Sequence, residues 1–281
     1  MFSKNSRLHS PKYIQKRRRK VIIGLIFYTA LLAVLVSLFI LLLRSSFLEI
    51  KTIEARGLAS LSPELVQSRV LSAIDGHYFK IIPKSNIIFY PEEDVQEILK
   101  NSFKEIDNVE IKRKGLSKIF VDVRERVPAA IVCSGFHEED MENNDCYFSD
   151  SLGYIFGKVH KPYPENYNRY YISTSQSEIM AGVSFIDQGR FQDLQKFMDS
   201  SLRSGIYPLG ILISDDGEYE MYVKPDTTVY FDDRSSFDTT LSNLLAFWHN
   251  AKDKATSTPI FNYINLRFGN TIYYSNNNEK K

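Results

Sequence analysis

The stretch KRRRKVIIGLIFYTALLAVLVSLFILLLR, Lys16 to Arg44, decides where the rest of the chain lies. Its centre, Val21 to Leu43, is 23 residues without a charge, held between a basic cluster and an arginine. A helix rises about 1.5 Å per residue and needs roughly 20 apolar residues to cross a bilayer, so this run spans once with some tilt. A cleavable signal peptide would carry a shorter apolar core, about 7 to 15 residues, followed by a small-residue cleavage site. Neither feature is present. Eight of the 35 Lys and Arg fall in the first 20 residues, which hold no Asp or Glu. Basic flanks stay on the cytoplasmic side, so Lys16, Arg17, Arg18, Arg19 and Lys20 are the topology determinants and the N-terminus is inside. Residues 1–20 read as a cytoplasmic basic tail too short to fold alone, a disordered peptide, and 21–43 as the transmembrane helix. Everything after Arg44 is then extracytoplasmic.

The outer part is mildly acidic, with 27 Lys and Arg against 34 Asp and Glu. Such a balance gives no electrostatic footprint for nucleic acid, and the basic cluster fits topology and anionic headgroups better. Seventeen Tyr and 19 Phe point to β-rich packing in one or two domains.

Two cysteines, Cys133 and Cys146, lie on the side where disulfides persist. They flank the acidic loop His137 to Asp145. If Ala129–Cys133 and Cys146–Phe148 are the arms of a hairpin, a bond between them would staple a loop with nothing to bury. Two separate thiols, or one catalytic thiol, are the other readings.

After the apolar run, Phe47–Arg56 reads as a strand ending at Gly57. Ser62-Pro63-Glu64 is an N-cap followed by Pro at the first helical position, and Leu65, Val66, Val70 and Ala73 recur at helical spacing. Tyr78–Ile82 is a short apolar stretch before an exposed turn at Pro83-Lys84-Ser85-Asn86. A second helix starts at Pro91 with Glu92, Glu93 and Asp94 in its first turn; Val95, Ile98, Leu99 and Phe103 line one face. The period then changes to two, with Val109 and Ile111 before the turn at Lys114-Gly115, and Ile119, Val121 and Val123 after it. The order is strand, helix, helix, strand, strand. Beyond Val127 strands dominate, at 129–132, 147–156, 210–214, 219–224, 228–231 and 260–274. Two helices interrupt them: 191–204 with Leu194, Phe197, Met198 and Leu202 inward, and 236–250 with Leu241, Leu244, Leu245 and Trp248 inward. The fold class is α+β, a single N-terminal transmembrane helix, a βααββ unit at 44–126, a mostly β domain with two helices at 127–275, and a polar tail at 276–281.

This layout resembles the bacterial cell-division family FtsQ/DivIB over nearly the whole chain. The βααββ unit is similar to its POTRA domain, beginning with Phe47-Leu48-Glu49-Ile50-Lys51-Thr52-Ile53-Glu54-Ala55-Arg56-Gly57. Val121-Asp122-Val123-Arg124-Glu125-Arg126-Val127-Pro128-Ala129-Ala130 resembles the family's strand, Glu-Arg, Pro and Ala pattern. Tyr147-Phe148-Ser149-Asp150-Ser151-Leu152-Gly153-Tyr154-Ile155-Phe156 is similar to the hairpin that follows, and Tyr263-Ile264-Asn265-Leu266-Arg267-Phe268-Gly269-Asn270-Thr271-Ile272-Tyr273-Tyr274 to the closing hairpin. An acidic residue usually stands where Asn265 is, which leaves Arg267 without a close carboxylate partner. The resemblance implies a non-enzymatic divisome scaffold at the septum, binding FtsB/FtsL-type bitopic partners by strand addition at the last edge. It places Phe268, Gly269, Ile272, Tyr273 and Tyr274 at the contact, and implies no cofactor and no metal. A second docking surface is expected on the POTRA unit.

The rival class is a membrane-anchored surface enzyme of sortase-like type with Cys133 or Cys146 as nucleophile. Neither cysteine follows the Thr-rich strand ending of such enzymes. The acidic pairs Asp215-Asp216 and Asp232-Asp233 and the run Glu138-Glu139-Asp140 sit in turn-like settings, not across a cleft as glycan cleavage requires. The five histidines, at 9, 77, 137, 160 and 249, show no ligand-pair spacing.

Overall fold

The computed structural model of the protein describes residues 11–135, 145–173, 179–254 and 260–276. The acidic loop expected at 137–145 and the polar tail from 277 onward lie almost wholly outside these residues. Helix and strand are mixed, with one long apolar helix at the N-terminal side and one large sheet. The chain divides into two compact units, Met1–Leu99 with Val109–Val123, and Lys100–Asn108 with Arg124–Lys281.

In the first unit, α1 runs Pro11–Leu43. The segment Gln15–Leu43 is long and apolar enough to cross a membrane, and none of its most apolar window is buried. The helix starts ten residues before the uncharged run, which corrects the expected disordered basic tail from Pro11 onward. Proline is pre-organised for the first helical position, and Gln, Lys and Arg are good helix formers, so the basic cluster continues the helix.

The small sheet of this unit has the order β1-β5-β4, with β1 (Thr52–Arg56) parallel to β5 (Lys118–Glu125) and β4 (Ile106–Lys114) beyond it. Its core faces alternate, Ile119, Val121 and Val123 being buried on β5. Helix α2 (Pro63–Ala73) is capped by Ser62, whose hydroxyl accepts from the Leu65 amide at 3.3 Å. It buries Val66 and Val70, while Leu65 stays 56 % exposed. Helix α3 (Glu92–Ser102) buries Val95 and Leu99.

Between the helices lies a small hairpin, β2 (His77–Tyr78) against β3 (Ile82–Pro83). Asn86, expected in an exposed turn, is instead 1 % exposed. Its Nδ2 donates to the Leu43 carbonyl at 2.8 Å and its Oδ1 accepts from the Ile88 amide at 2.9 Å. One side chain thus satisfies a carbonyl orphaned at the end of α1 and an amide of the next turn.

The second unit is a nine-stranded sheet in the order β14-β13-β12-β11-β10-β9-β6-β7-β8. Its strands are β6 (Ala130–Ser134), β7 (Cys146–Ser149), β8 (Ile155–Lys158), β9 (Asn168–Ser173), β10 (Pro208–Ser214), β11 (Glu218–Val223), β12 (Thr227–Asp232), β13 (Phe261–Phe268) and β14 (Thr271–Asn276). The sequence pattern did not disclose β9, and it joined β7 to β8, which Asp150 separates by accepting from the amides of Leu152 and Tyr154. Asn276, assigned to the polar tail, closes β14 opposite Phe261.

Parallel neighbours require a crossover, and two are helical: β9 to β10 through α4 (Gln188–Arg203), and β12 to β13 through α5 (Phe237–Lys254). Strands β9, β10 and β12 point the same way, and both crossovers step toward β14. With right-handed connections, both helices therefore fall on one face. There Phe191, Leu194, Phe197, Met198, Leu244 and Trp248 meet Tyr170, Ile211, Tyr219, Met221, Val229, Phe231 and Ile264 in one core.

Leu202, expected inward, is 51 % exposed. Helix α4 ends there in a Schellman turn: the Ile206 amide donates to the Ser201 carbonyl at 3.0 Å and the Gly205 amide to the Leu202 carbonyl at 3.1 Å. Gly205 takes the left-handed conformation, φ +80°, and Ile206 fills the inward place.

Candidate partner-binding edge

The hairpin β13–β14 closes on the two-residue loop Gly269-Asn270. Gly269 has φ +65° and the following Asn270 does not take positive φ, the pattern of a II′ hairpin, where glycine avoids a steric cost. Nothing lies within 4 Å of where a Gly269 Cβ would be, so the backbone angle, not crowding, selects glycine. The Asn243 amide on α5 donates to the Gly269 carbonyl at 3.1 Å and ties the loop to the helix.

Strand β14 is the last in the sheet, and among the described residues no strand pairs with its outer edge. Its partner register sets Tyr274 opposite Ile264 and Tyr273 opposite Asn265, with irregularities on either side. Successive side chains take opposite faces. The five residues singled out in the sequence therefore divide. Ile272 packs against the helix-covered core, and the Tyr274 ring sits 5.0 Å from that of Phe247 on α5 and 5.7 Å from that of Phe261. Tyr273 turns to the other face, where its ring meets Phe268 edge-on at 5.0 Å. Tyr273 and Phe268 are 53 % and 57 % exposed, although they are large rings with a core beside them.

The open face behind them is organised by Arg267. The sequence left this residue without a carboxylate; the structure supplies Glu218 from β11, with Arg267 Nη1 2.7 Å from Glu218 Oε2. Asn265 Oδ1 accepts from the Arg267 amide at 3.1 Å and from its Nε at 3.2 Å. The guanidinium also lies 5.4 Å from the centre of the Tyr230 ring. Burial, then the Glu220 carboxylate, push the Tyr230 hydroxyl above the usual phenol range, so this ring stays neutral. Glu218, Asn243 and Phe247 were missed in the sequence. Phe247 stands three residues past Leu244 and carried a helical-period signal; the other two act across long sequence separations and carried none.

At the other end of the sheet Cys133 and Cys146 face each other in the β6–β7 register and are joined as a disulfide. In this state neither sulfur is a thiolate nucleophile. Among the described residues no three His, Cys, Asp or Glu side chains converge to hold a metal ion. The chain matches no known family model and no curated protein.

Proposed function

We propose that this protein is a single-pass membrane scaffold of the FtsQ/DivIB type, its small βααββ unit serving as the POTRA domain and its nine-stranded sheet as the partner-binding domain. The N-terminus is cytoplasmic and the two units stand outside the plasma membrane at the division septum. An FtsB/FtsL-type partner adds a strand along the free edge of β14, with Tyr273 and Phe268 as aromatic anchors on one face. It carries out no chemistry.

One observation carries this reading: among the described residues the sheet ends in a strand with no neighbour on its outer edge, and the aromatics beside it are exposed. Exposed edges invite pairing, and proteins usually blunt them with charge, proline or a covering loop. Strand β14, Thr-Ile-Tyr-Tyr-Ser-Asn, has none of these residue types.

The test is live-cell localisation of an N-terminal fluorescent fusion, full chain against a chain ending at Asn270, paired with co-purification of the bitopic division proteins. A midcell band and partner capture that both vanish with β14 support the proposal. Uniform membrane signal from the full chain refutes the septal role. Partner capture that survives the truncation moves the contact off the edge.

A further inference from the structure

The hairpin β2–β3 carries a side chain that the fold does not use. Phe79 is 93 % exposed, and it occupies one of the two central turn positions, Phe79 (φ +49°) and Lys80 (φ +61°). The Ile81 amide closes the turn on the Tyr78 carbonyl at 2.9 Å. Two consecutive positive φ angles are a I′ pattern, normally filled by Asn-Gly; a bulky aromatic ring there is costly and rare. Strain of this kind, at a residue that makes no packing contribution, points to a role beyond folding.

The hairpin's place shows what meets that ring. Pro83 and His77, at its base, line a cavity of about 500 Å³ together with Leu43, Arg44 and Asn86. Strand β3 lies alongside the end of α1. Leu43 is buried, and Ile40, one turn earlier, is partly covered, whereas the large apolar side chains before them are exposed. The Asn86 to Leu43 hydrogen bond and the Ile87 amide bond to the Leu48 carbonyl at 2.7 Å fix this arrangement. The hairpin is therefore held at the level where the apolar span ends. Phe47, Ile88 and Phe89, adjacent in the chain to these fixing residues, are 76 %, 48 % and 43 % exposed, and Ile81 on the hairpin 42 %. Lys80 and Lys84 stand among them, with Lys84 Nζ 5.8 Å from the Tyr78 ring centre. Exposed aromatic and aliphatic tips with flanking lysines at the end of an apolar helix suit the interface of a bilayer carrying anionic lipid.

We propose that the β2–β3 hairpin is a lipid-docking finger: Phe79 inserts into the outer leaflet beside the end of α1, with Lys80 and Lys84 at the phosphates. This rests on the reading of α1 as a membrane span. The finger would orient the first unit on the membrane, giving that unit one tilt and one face toward its partners.

Because Cys133 and Cys146 are joined, an introduced cysteine is the one reactive thiol. The full chain carrying Phe79→Cys or Ser37→Cys is labelled with a polarity-sensitive fluorophore and reconstituted into vesicles of phosphatidylcholine and phosphatidylglycerol. Nitroxide-bearing lipids and aqueous iodide serve as the two quenchers. The expected result is blue-shifted emission at position 79, quenched by a shallow lipid nitroxide and protected from iodide, with position 37 quenched by a deep nitroxide. Iodide quenching at 79 beside lipid quenching at 37 overturns the finger and leaves the anchor standing. Absence of lipid quenching at both positions overturns the anchor and the finger together. Protection of 79 only after detergent-solubilised envelope proteins are added overturns the lipid assignment in favour of a protein. As a second variant, Ile81→Cys is labelled in a Phe79→Asn/Lys80→Gly background, which relaxes the turn. Loss of lipid quenching with an unchanged or raised Tm is expected; unchanged quenching refutes insertion by Phe79.

Discussion

Asn86 Nδ2 lies 2.8 Å from the Leu43 carbonyl oxygen, a hydrogen bond that binds the last residue of the apolar helix to the domain that follows it. The amide is 1 % exposed and its oxygen serves the Ile88 amide as well. Replacing it by leucine strands a carbonyl and an N–H, each costing about 1–3 kcal/mol when left unpaired and buried. Asn86→Leu should lower the Tm of the full chain in detergent by several degrees and loosen the residues just after Leu43. Hydrogen exchange at the amides of Ile87 and Ile88 reads this directly; unchanged protection would show that the bond is not structural.

The ion pair between Arg267 and Glu218 makes a second case. Arg267 is 24 % exposed at its side chain and Glu218 42 %, so the pair is partly desolvated and worth about 1 kcal/mol. Glu218→Ala should reduce amide protection in β13 and β14 while sparing β6 to β9. Asn265→Asp on that background should restore it, because a carboxylate would replace an amide oxygen already 3.1 and 3.2 Å from the Arg267 donors. Failure of the rescue would mean that Glu218 acts through packing.

These two residues also mark where sequence reading stops. Local periodicity located α2 and α3 and both crossover helices of the second unit, because each buries a stripe at spacing 3.6. The hairpin at Gly269 was legible for the same local reason, since its turn chemistry sits inside four residues. Strand β9 was not: Tyr170 and Tyr171 are both buried, one on each face, so no alternation marks the strand. Glu218 and Asn86 were out of reach because their partners lie 49 and 43 residues away. The division of Tyr273 from Tyr274 could be read only once the face covered by α5 was known.

Tyr170 is fully buried, and among the described residues its hydroxyl has no hydrogen-bond partner. Burial, then the Asp199 charge, raise this hydroxyl far above the free phenol range, so the folded state keeps it neutral. The sign follows from linkage. The unfolded chain ionises near pH 10, so stability from the raised group is complete below that pH and falls as pH rises beyond it. Tyr170→Phe should stabilise by roughly 1 kcal/mol near neutrality, by removing an unsatisfied polar atom. It should also flatten the loss of stability between about pH 10 and 12. Denaturant midpoints at pH 7 and 11 test both parts, and a destabilised variant would reveal a partner for the hydroxyl in solution.

The disulfide closes the β6–β7 hairpin across 13 residues of sequence. Loop-closure entropy for a loop of this size is about 3 kcal/mol, an upper figure for the cost of removing the bond. A Cys133→Ala/Cys146→Ala chain should show a lower Tm and faster amide exchange in β6 and β7, yet retain partner capture, because β14 is at the opposite edge of the sheet. Lost capture with an intact fold would place a contact at this end.

Adjacent tyrosines on β14 give the sharpest contrast. Tyr273 faces away from the helices and touches Phe268; Tyr274 is held between Phe247 and Phe261. A carboxylate at 273 enters water and leaves the core untouched, whereas at 274, though it too can reach water, it gives up the ring contacts with Phe247 and Phe261 beside α5. Tyr273→Asp should therefore fold with a Tm near that of the parent and lose capture of an FtsB-like partner. Tyr274 is 50 % exposed but in ring contact with Phe247 and Phe261, so Tyr274→Asp should lower stability by about 1–2 kcal/mol, the range of losing two aromatic contacts, and weaken binding only as a consequence. Tm and partner affinity measured on both separate the two effects. If Tyr273→Asp binds as well as the parent while folded, the partner strand does not run along the open face of β14, and the anchor role falls to the helix-side residues Ile272 and Tyr274.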